Sequence, residues 1–307
     1  MTGLAGADFL RLDTPDVDDL EAILDGAERL KRHDAPQPLL ADVQLGMIFQ
    51  KRSTRTRVSF EAGIDRLGGN AVFLSADDIQ LGRGETIGDT ARALSRYCDA
   101  LMARVYDHGD VEELAAHADV PVVNGLSDFN HPCQGIADLF TIRQVHGDVE
   151  TATVAWLGDG NNVCHSLLHG ASRFGATVRV ATPERHGPDG DVVERAEGFA
   201  EKAGGAVSVG HDPEAAVEGA DVVYTDSWVS MGDDEKDEAV FEPFRVDEAM
   251  LAGAADDVAF MHCLPAHRGE EVTDAVMDGP HSVVWQQAEN RMHAQNALLT
   301  LVLGRNA

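Results

Sequence analysis

Phe49-Gln50-Lys51-Arg52-Ser53-Thr54-Arg55-Thr56-Arg57-Val58-Ser59-Phe60-Glu61 is the stretch on which the reading of this chain turns. An apolar run, Leu45 to Phe49, leads into it and has the character of a buried strand. A helix-like run, Val58 to Leu67, leads out. Ser53 and Thr54 stand where that helix should begin, and either suits an N-cap. A helix N-terminus presents free backbone N–H groups and the positive end of a dipole. Ser53, Thr54, Arg55, Thr56 and Arg57 surround it with further donors, a combination suited to a phosphate group.

The charge of the whole chain sharpens that reading. Asp and Glu number 53 against 24 Lys and Arg, a net charge of −29. Lys51, Arg52, Arg55 and Arg57 nevertheless fall within one short segment. A cluster of cations is ordinarily a solvated surface. Its place at a strand-to-helix junction favours an anion site instead.

The bulk properties bound the remainder. A length of 307 residues suits two α/β domains, and a 44% hydrophobic content is enough to build their cores. No apolar run approaches the roughly 18 residues of a membrane span. The N-terminus has no basic region ahead of an apolar core, so no signal peptide is expected. Cys98, Cys133, Cys164 and Cys263 lack CxxC spacing and read as reduced thiols of a cytoplasmic protein. Nucleic-acid binding is disfavoured, because no basic face exists beyond the one cluster.

Along the chain, Asp13-Thr14-Pro15-Asp16 reads as a helix start. Strands are then expected at 45–49, 70–74, 100–105 and 120–124, and in the second half at 153–157, 177–181, 206–209, 221–225 and 258–261. Helical segments lie among them, including 135–146 and a last helix over about 286–303. The alternation predicts parallel sheets with helices on their faces. Residues after strand ends in such sheets carry ligands, and Arg104, His131, Asn162, Asp226 and Cys263 fall in or near those positions.

Three further motifs follow: His131-Pro132-Cys133-Gln134, Asp226-Ser227-Trp228-Val229-Ser230-Met231-Gly232, and His262-Cys263-Leu264-Pro265 continuing to Val272. Together with Ser53-Thr54-Arg55-Thr56-Arg57, in this order, they resemble the aspartate/ornithine carbamoyltransferase family in its ornithine branch. The resemblance spans nearly the whole chain. It implies transfer of a carbamoyl group from carbamoyl phosphate to L-ornithine, giving L-citrulline and phosphate, with no metal or organic cofactor. It implies a role in arginine metabolism, either biosynthetic or, in reverse, in the arginine deiminase pathway. It also implies a carbamoyl-phosphate domain (1–146), an ornithine domain (147–285), a C-terminal helix (286–307) returning to the first, and an active site in the interdomain cleft.

By that resemblance Ser53, Thr54, Arg55, Thr56 and Arg57 hold the phosphate, completed by Gln80 and Arg291. Arg104, His131 and Thr56 face the carbonyl oxygen, Gln134 accepts from the carbamoyl NH2, and Pro132 and Cys133 belong to the same wall. Asn162, Asp226, Ser230, Met231, Cys263 and Leu264 contact the amino acid, with Cys263 beside the reacting amine. Loops of a neighbouring subunit reach such sites, so a homotrimer or a multiple of it is expected, with Gln80 assigned to that contribution in trans. Taken singly, His131 reads as a packed histidine, Asp226 as a turn cap, and Cys133 and Cys263 as small buried residues. Only the joint pattern makes His131, Asp226 and Cys263 functional; Cys133 still reads as packing.

Three alternatives accompany this reading. Trp156-Leu157-Gly158-Asp159-Gly160-Asn161-Asn162 follows a strand, as a dinucleotide fingerprint would. Val163 stands where the third glycine belongs, and no acid follows about 20 residues on. A metal hydrolase could use His131, Cys133, His262, Cys263 and His267, but their spacing forms no recognised ligand pair on one helix. Within the family, putrescine, N-acylated ornithine and aspartate are rival acceptors.

So acidic a surface repels itself in dilute buffer and is screened by salt. A halophilic origin is inferred. The melting temperature is expected to rise from millimolar to molar KCl; one that stays level or falls would contradict this.

Overall fold

The alternation of strand and helix builds two parallel sheets in the computed structural model, which describes residues 3–33, 36–80, 84–229 and 238–305. The chain divides into two units, one of Met1–Phe140 with Asn290–Ala307, the other of Thr141–Glu289. The divisions fall within two helices, not in loops.

In the first unit α1 (Val17–Arg32) precedes β1 (Gln44–Phe49), α2 (Thr54–Arg66), β2 (Asn70–Ser75), α3 (Ile87–Leu94), β3 (Ala100–Arg104), α4 (His108–His117), β4 (Val122–Leu126) and α5 (Pro132–His146). The strands run parallel in the order β2-β1-β3-β4. β1, β3 and β4 are buried almost throughout, as their largely apolar sequence requires of strands covered on both faces. β2 lies at one edge and is more exposed. At the other edge Phe9 bridges to Val123, and the Asp8 carboxylate accepts from the Val122 N–H at 2.8 Å, so β4 is not left open there.

α1 begins at Val17, one residue after the expected Asp-Thr-Pro-Asp signal, and Asp16 stands at its N-cap without a side-chain bond. Asp13 is instead held by Arg11, with two contacts of 2.9 Å.

In the second unit β5 (Thr153–Leu157), α6 (Asn162–Arg173), β6 (Thr177–Ala181), α7 (Gly190–Ala203), β7 (Ala206–Gly210), α8 (Pro213–Val217), β8 (Val222–Thr225), α9 (Glu248–Leu251), β9 (Ala259–His262) and α10 (Asp274–Met277) follow in sequence. α11 (Val284–Val302) then leads into the C-terminal part of the first unit. The sheet order is β7-β6-β5-β8-β9, again all parallel. Its core is an apolar cluster that includes Leu157, Val223 and Phe260.

Each sheet has one point at which strand order reverses: β1/β3 in the first unit and β5/β8 in the second. Loops at the carboxyl ends of those strand pairs diverge and leave a crevice, the ordinary ligand position in a sheet of this kind. The crevice residues are those after Phe49 and Arg104 in one unit, and those after Leu157 and Thr225 in the other.

The glycine pair after β5 has a packing explanation. Gly158 adopts φ 114°, a region glycine alone enters freely. A Cβ on Gly160 would lie 2.2 Å from the Pro188 nitrogen, and the Gly160 N–H donates to the His186 carbonyl at 2.8 Å. The polypeptide at 186–188 thus occupies the space that a dinucleotide pyrophosphate would need.

Candidate active site

In the first unit the site is assembled around Thr56. Ser53, in extended backbone, caps α2 by accepting from the Thr56 N–H at 3.2 Å, and the two hydroxyls lie 3.1 Å apart. Thr56 is fully buried. Its Oγ1 accepts from Arg291 Nη2 at 3.0 Å and from Arg104 Nη1 at 3.5 Å. Arg104 is the last residue of β3 and pairs in register with Phe49, so the sheet carries it to the β1/β3 crevice. Arg291 comes from α11, in the segment that belongs to this unit.

His131 stands just before α5, and its carbonyl accepts from the Gln134 and Gly135 N–H groups, each at 3.0 Å. Pro132 follows as the first helical residue, where a missing N–H costs nothing. Burial, followed by the charges of Arg291, Arg104 and Arg55, pushes the His131 imidazole well below its ordinary value of 6.5. It is therefore neutral near pH 7, able to donate a hydrogen bond without adding a charge. Gln134 is fully buried, and its Nε2 donates to Asp138 at 2.7 Å.

The four clustered cations separate. Arg55 is half-buried and close enough to act on His131. Arg57 lies on the exposed flank of α2, with its Nε donating to Glu61 at 3.0 Å and its guanidinium 3.9 Å over the Phe73 ring. Adjacent helical residues face different ways, so Thr56 and Arg57 do not converge. Arg52 is almost fully exposed, 4.0 Å from Asp77, and Lys51 lies 5.7 Å from the Tyr106 ring. Thr54 is exposed in the first turn of α2. Gln80 is exposed in the loop after β2 and makes no hydrogen bond to this group among the described residues. Cys133 is packed: burial pushes its thiol up to about 12, and Sγ donates to the Asn124 carbonyl at 3.3 Å.

In the second unit Asp226 follows β8, buried, with one oxygen to each neighbour. Its Oδ2 accepts from Asn161 Nδ2 at 2.9 Å and its Oδ1 from Cys263 Sγ at 3.0 Å. Asn161 caps α6, accepting from the Val163 and Cys164 N–H groups at 2.9 and 3.2 Å. One side chain thus ends the β5 loop, starts α6 and holds the acid. Asn162, the residue assigned to the amino acid by resemblance, opens α6 and accepts the Ser166 hydroxyl on its carbonyl at 3.0 Å; Asn161 before it is a further candidate. The signal for Asn161 was present, because Asn before an apolar helical run is a cap. Its bond to Asp226 is a tertiary contact 65 residues apart. Ser230 and Met231 lie outside the described residues.

Cys263 and Leu264 are set by a buried pair behind them. His262 Nε2 donates to Glu271 Oε1 at 3.0 Å, and Nδ1 accepts from the Leu264 N–H at 2.9 Å. Burial would raise the Glu271 carboxyl, but the His262 ring N–H and the His267 backbone N–H outweigh it and hold the group below its ordinary value. Leu264 is held at φ 64°, a conformation rare for a branched residue and of the kind found at functional sites. Asp226, His262 and Cys263 bring potential metal-ligand atoms within 4.8 Å of one another. Both imidazole nitrogens of His262 are already engaged, so no lone pair remains for a metal.

The comparisons divide the chain in the same sense as the two crevices. A family model described as the carbamoyl-P binding domain of aspartate/ornithine carbamoyltransferase matches residues 7–144. One described as the Asp/Orn binding domain of that family matches residues 150–302. A relative from Pyrococcus furiosus, named an anabolic ornithine carbamoyltransferase, is 54% identical over 99% of this chain and 98% of its own. A solved P. furiosus ornithine carbamoyltransferase structure superposes with a TM-score of 0.96, covering 99% of both chains. The ornithine carbamoyltransferase structure from Gloeobacter violaceus, at 43% identity, gives 0.89, covering 98% of this chain and 99% of that one.

The depressed imidazole has a consequence for stability. His131 is neutral when folded and protonates near 6.5 when unfolded, so the unfolded state binds more protons below that pH. Stability is therefore complete above about 6.5 and falls as pH drops through the window below it. His131→Asn is expected to make the fall in melting temperature between about pH 6.5 and 5 shallower. An equal or steeper acid limb would contradict the assignment.

Proposed function

The chain belongs to the aspartate/ornithine carbamoyltransferase family, and on that premise we propose that it moves the carbamoyl group of carbamoyl phosphate to the side-chain amine of L-ornithine, releasing L-citrulline and phosphate. The observation that carries this reading is the buried Thr56 hydroxyl, at a helix N-terminus, receiving Arg104 and Arg291 beside a neutral His131.

In the reaction the amine nitrogen attacks the carbonyl carbon, the carbonyl oxygen gains negative charge, and the bond from carbon to the phosphate oxygen breaks. The Ser53–Thr56 turn and Arg55 stabilise the departing phosphate. Arg104, His131 and the Thr56 hydroxyl serve the developing oxyanion, where loss of one donor typically costs about 100- to 1000-fold in rate. Gln134 accepts from the carbamoyl NH2. The arginine positive charge is worth more as charge builds on the leaving group, so it favours the transition state over the ground state.

The second unit supplies the acceptor. Asp226 attracts the ammonium end of ornithine. Cys263, hydrogen-bonded to the same carboxylate, lies beside the amine and keeps it oriented as it sheds a proton, which the departing phosphate takes up to leave as hydrogen phosphate. Leu264 bounds the pocket through its fixed backbone. Ser230 and Met231 take the α-carboxylate end. Gln80 and Arg57 act once ligand or a neighbouring subunit draws them in, and the assembly is a trimer or a multiple of one. Exposed apolar residues on the first unit, Val58 and Val72 among them, are suited to such contacts. No helix among the described residues is long and apolar enough to cross a membrane, and with four free cysteines the enzyme acts in the cytoplasm.

Product formation from carbamoyl phosphate should be measured in molar salt with ornithine, putrescine, N-acetylornithine and aspartate. Ornithine is expected to give citrulline and the others little or no product. Asp226→Asn and Cys263→Ala are expected to lower kcat/KM for ornithine about 100-fold or more while carbamoyl phosphate binding persists. Folded protein that carbamoylates none of the amines, or prefers another to ornithine, would contradict the proposal.

A further inference from the structure

Gln134 and Asp138 stand four residues apart on α5, one turn stacked over the other, and both are fully buried. Gln134 Nε2 donates to Asp138 Oδ1 at 2.7 Å. A carboxylate accepts and does not donate, so only the NH2 end of the glutamine amide can face it. The amide is planar, and its oxygen is turned to the opposite side. Among the described residues that buried Oε1 has no hydrogen-bond partner. Leaving an acceptor buried and unpaired costs free energy, so such an atom in a working protein calls for a ligand. Gln134 is also one helical turn from His131, whose carbonyl accepts the Gln134 N–H at 3.0 Å.

We infer that Asp138 is a positioning residue that locks the Gln134 amide with its carbonyl outward, so that the site accepts a substrate NH2 and discriminates carbamoyl phosphate from acyl phosphates lacking that group. The inference rests on the carbamoyl-transfer reading above. Acetyl phosphate has the same phosphate, the same carbonyl and a methyl group where carbamoyl phosphate has NH2. The methyl cannot donate, so it leaves Oε1 unpaired. Were the amide reversed, its own NH2 would meet the substrate NH2, donor against donor, and the preference would be lost. Asp138 thus imposes selectivity without touching the substrate.

The test is binding of carbamoyl phosphate and of acetyl phosphate, each alone, by calorimetry in molar salt. Wild type, Asp138→Asn, Asp138→Ala, Gln134→Met and the double variant Asp138→Asn/Gln134→Met would be compared. In wild type, carbamoyl phosphate is expected to bind about tenfold tighter than acetyl phosphate. Asp138→Asn, nearly isosteric and so the variant least prone to misfold, presents either an acceptor or a donor and no longer fixes the direction of the Gln134 amide, so it is expected to reduce that ratio about three- to tenfold. The change should come from weaker carbamoyl phosphate binding, with acetyl phosphate affinity held within about twofold. In the Gln134→Met background, Asp138→Asn should leave the ratio unaltered, because no amide remains to orient.

Equal losses for both ligands would assign Asp138 a merely structural role and overturn the inference, as would an unchanged ratio. An effect of Asp138→Asn that persists in the Gln134→Met background would overturn it too. Wild-type protein that binds acetyl phosphate but not carbamoyl phosphate would overturn the functional reading along with it. Carbamoyl phosphate binding in wild type with parallel losses in the variants would remove only the role of Asp138.

Discussion

Three guanidinium groups brought near one buried threonine and one neutral histidine are the constraint around which the first unit is organised. Like charges in a poorly solvated space repel, and they repel more strongly than in water. Arg104 arrives on the end of a central strand, Arg55 on the first turn of α2, and Arg291 on a helix from the far end of the chain. Bringing Arg291 there takes the whole second unit as the intervening sequence. A dianion is the ligand whose charge offsets such a gathering, and the N-terminus of α2 adds its dipole in the same sense. Burial, together with these same arginines, keeps His131 from gaining a proton and leaves it a neutral donor.

The second unit works by a different economy of groups. Its acid, Asp226, is shared by an amide and a thiol from two other strand ends. The Cys263 loop is fixed from behind by the His262–Glu271 pair. Breaking Asn161 or His262 would disturb the Asp226 carboxylate or the Cys263–Leu264 backbone that they hold.

Much of this was legible in the sequence, for identifiable reasons. Buried parallel strands such as β1 and β5 are near-continuous apolar runs, so their existence and limits could be read directly. Ser53 could be read as a cap because capping is local chemistry, and Arg104 could be placed after a strand end because the alternation implies it, while the parts given to Thr56 and Arg104 came from the resemblance of the motifs. The direction of a side chain was harder to read. Lys51, Arg52, Arg55 and Arg57 form one cluster in the sequence, but helical geometry and Phe73 divide them, and only the fold shows that Arg57 turns outward. The contact of Asn161 with Asp226, 65 residues away, is likewise a tertiary one that the order of residues does not display. The Gly158/Gly160 pair mimics part of a nucleotide motif; the passing chain at 186–188 explains Gly160 instead.

The most direct measurement is the affinity of carbamoyl phosphate for Thr56→Val, which keeps the shape of the side chain and removes the oxygen at which Arg104 and Arg291 meet. Calorimetry in molar salt is predicted to show binding weakened about tenfold or more relative to wild type, with the melting temperature little changed. Undiminished binding by folded Thr56→Val would contradict the account, because the anion would then be held somewhere other than this donor-lined turn.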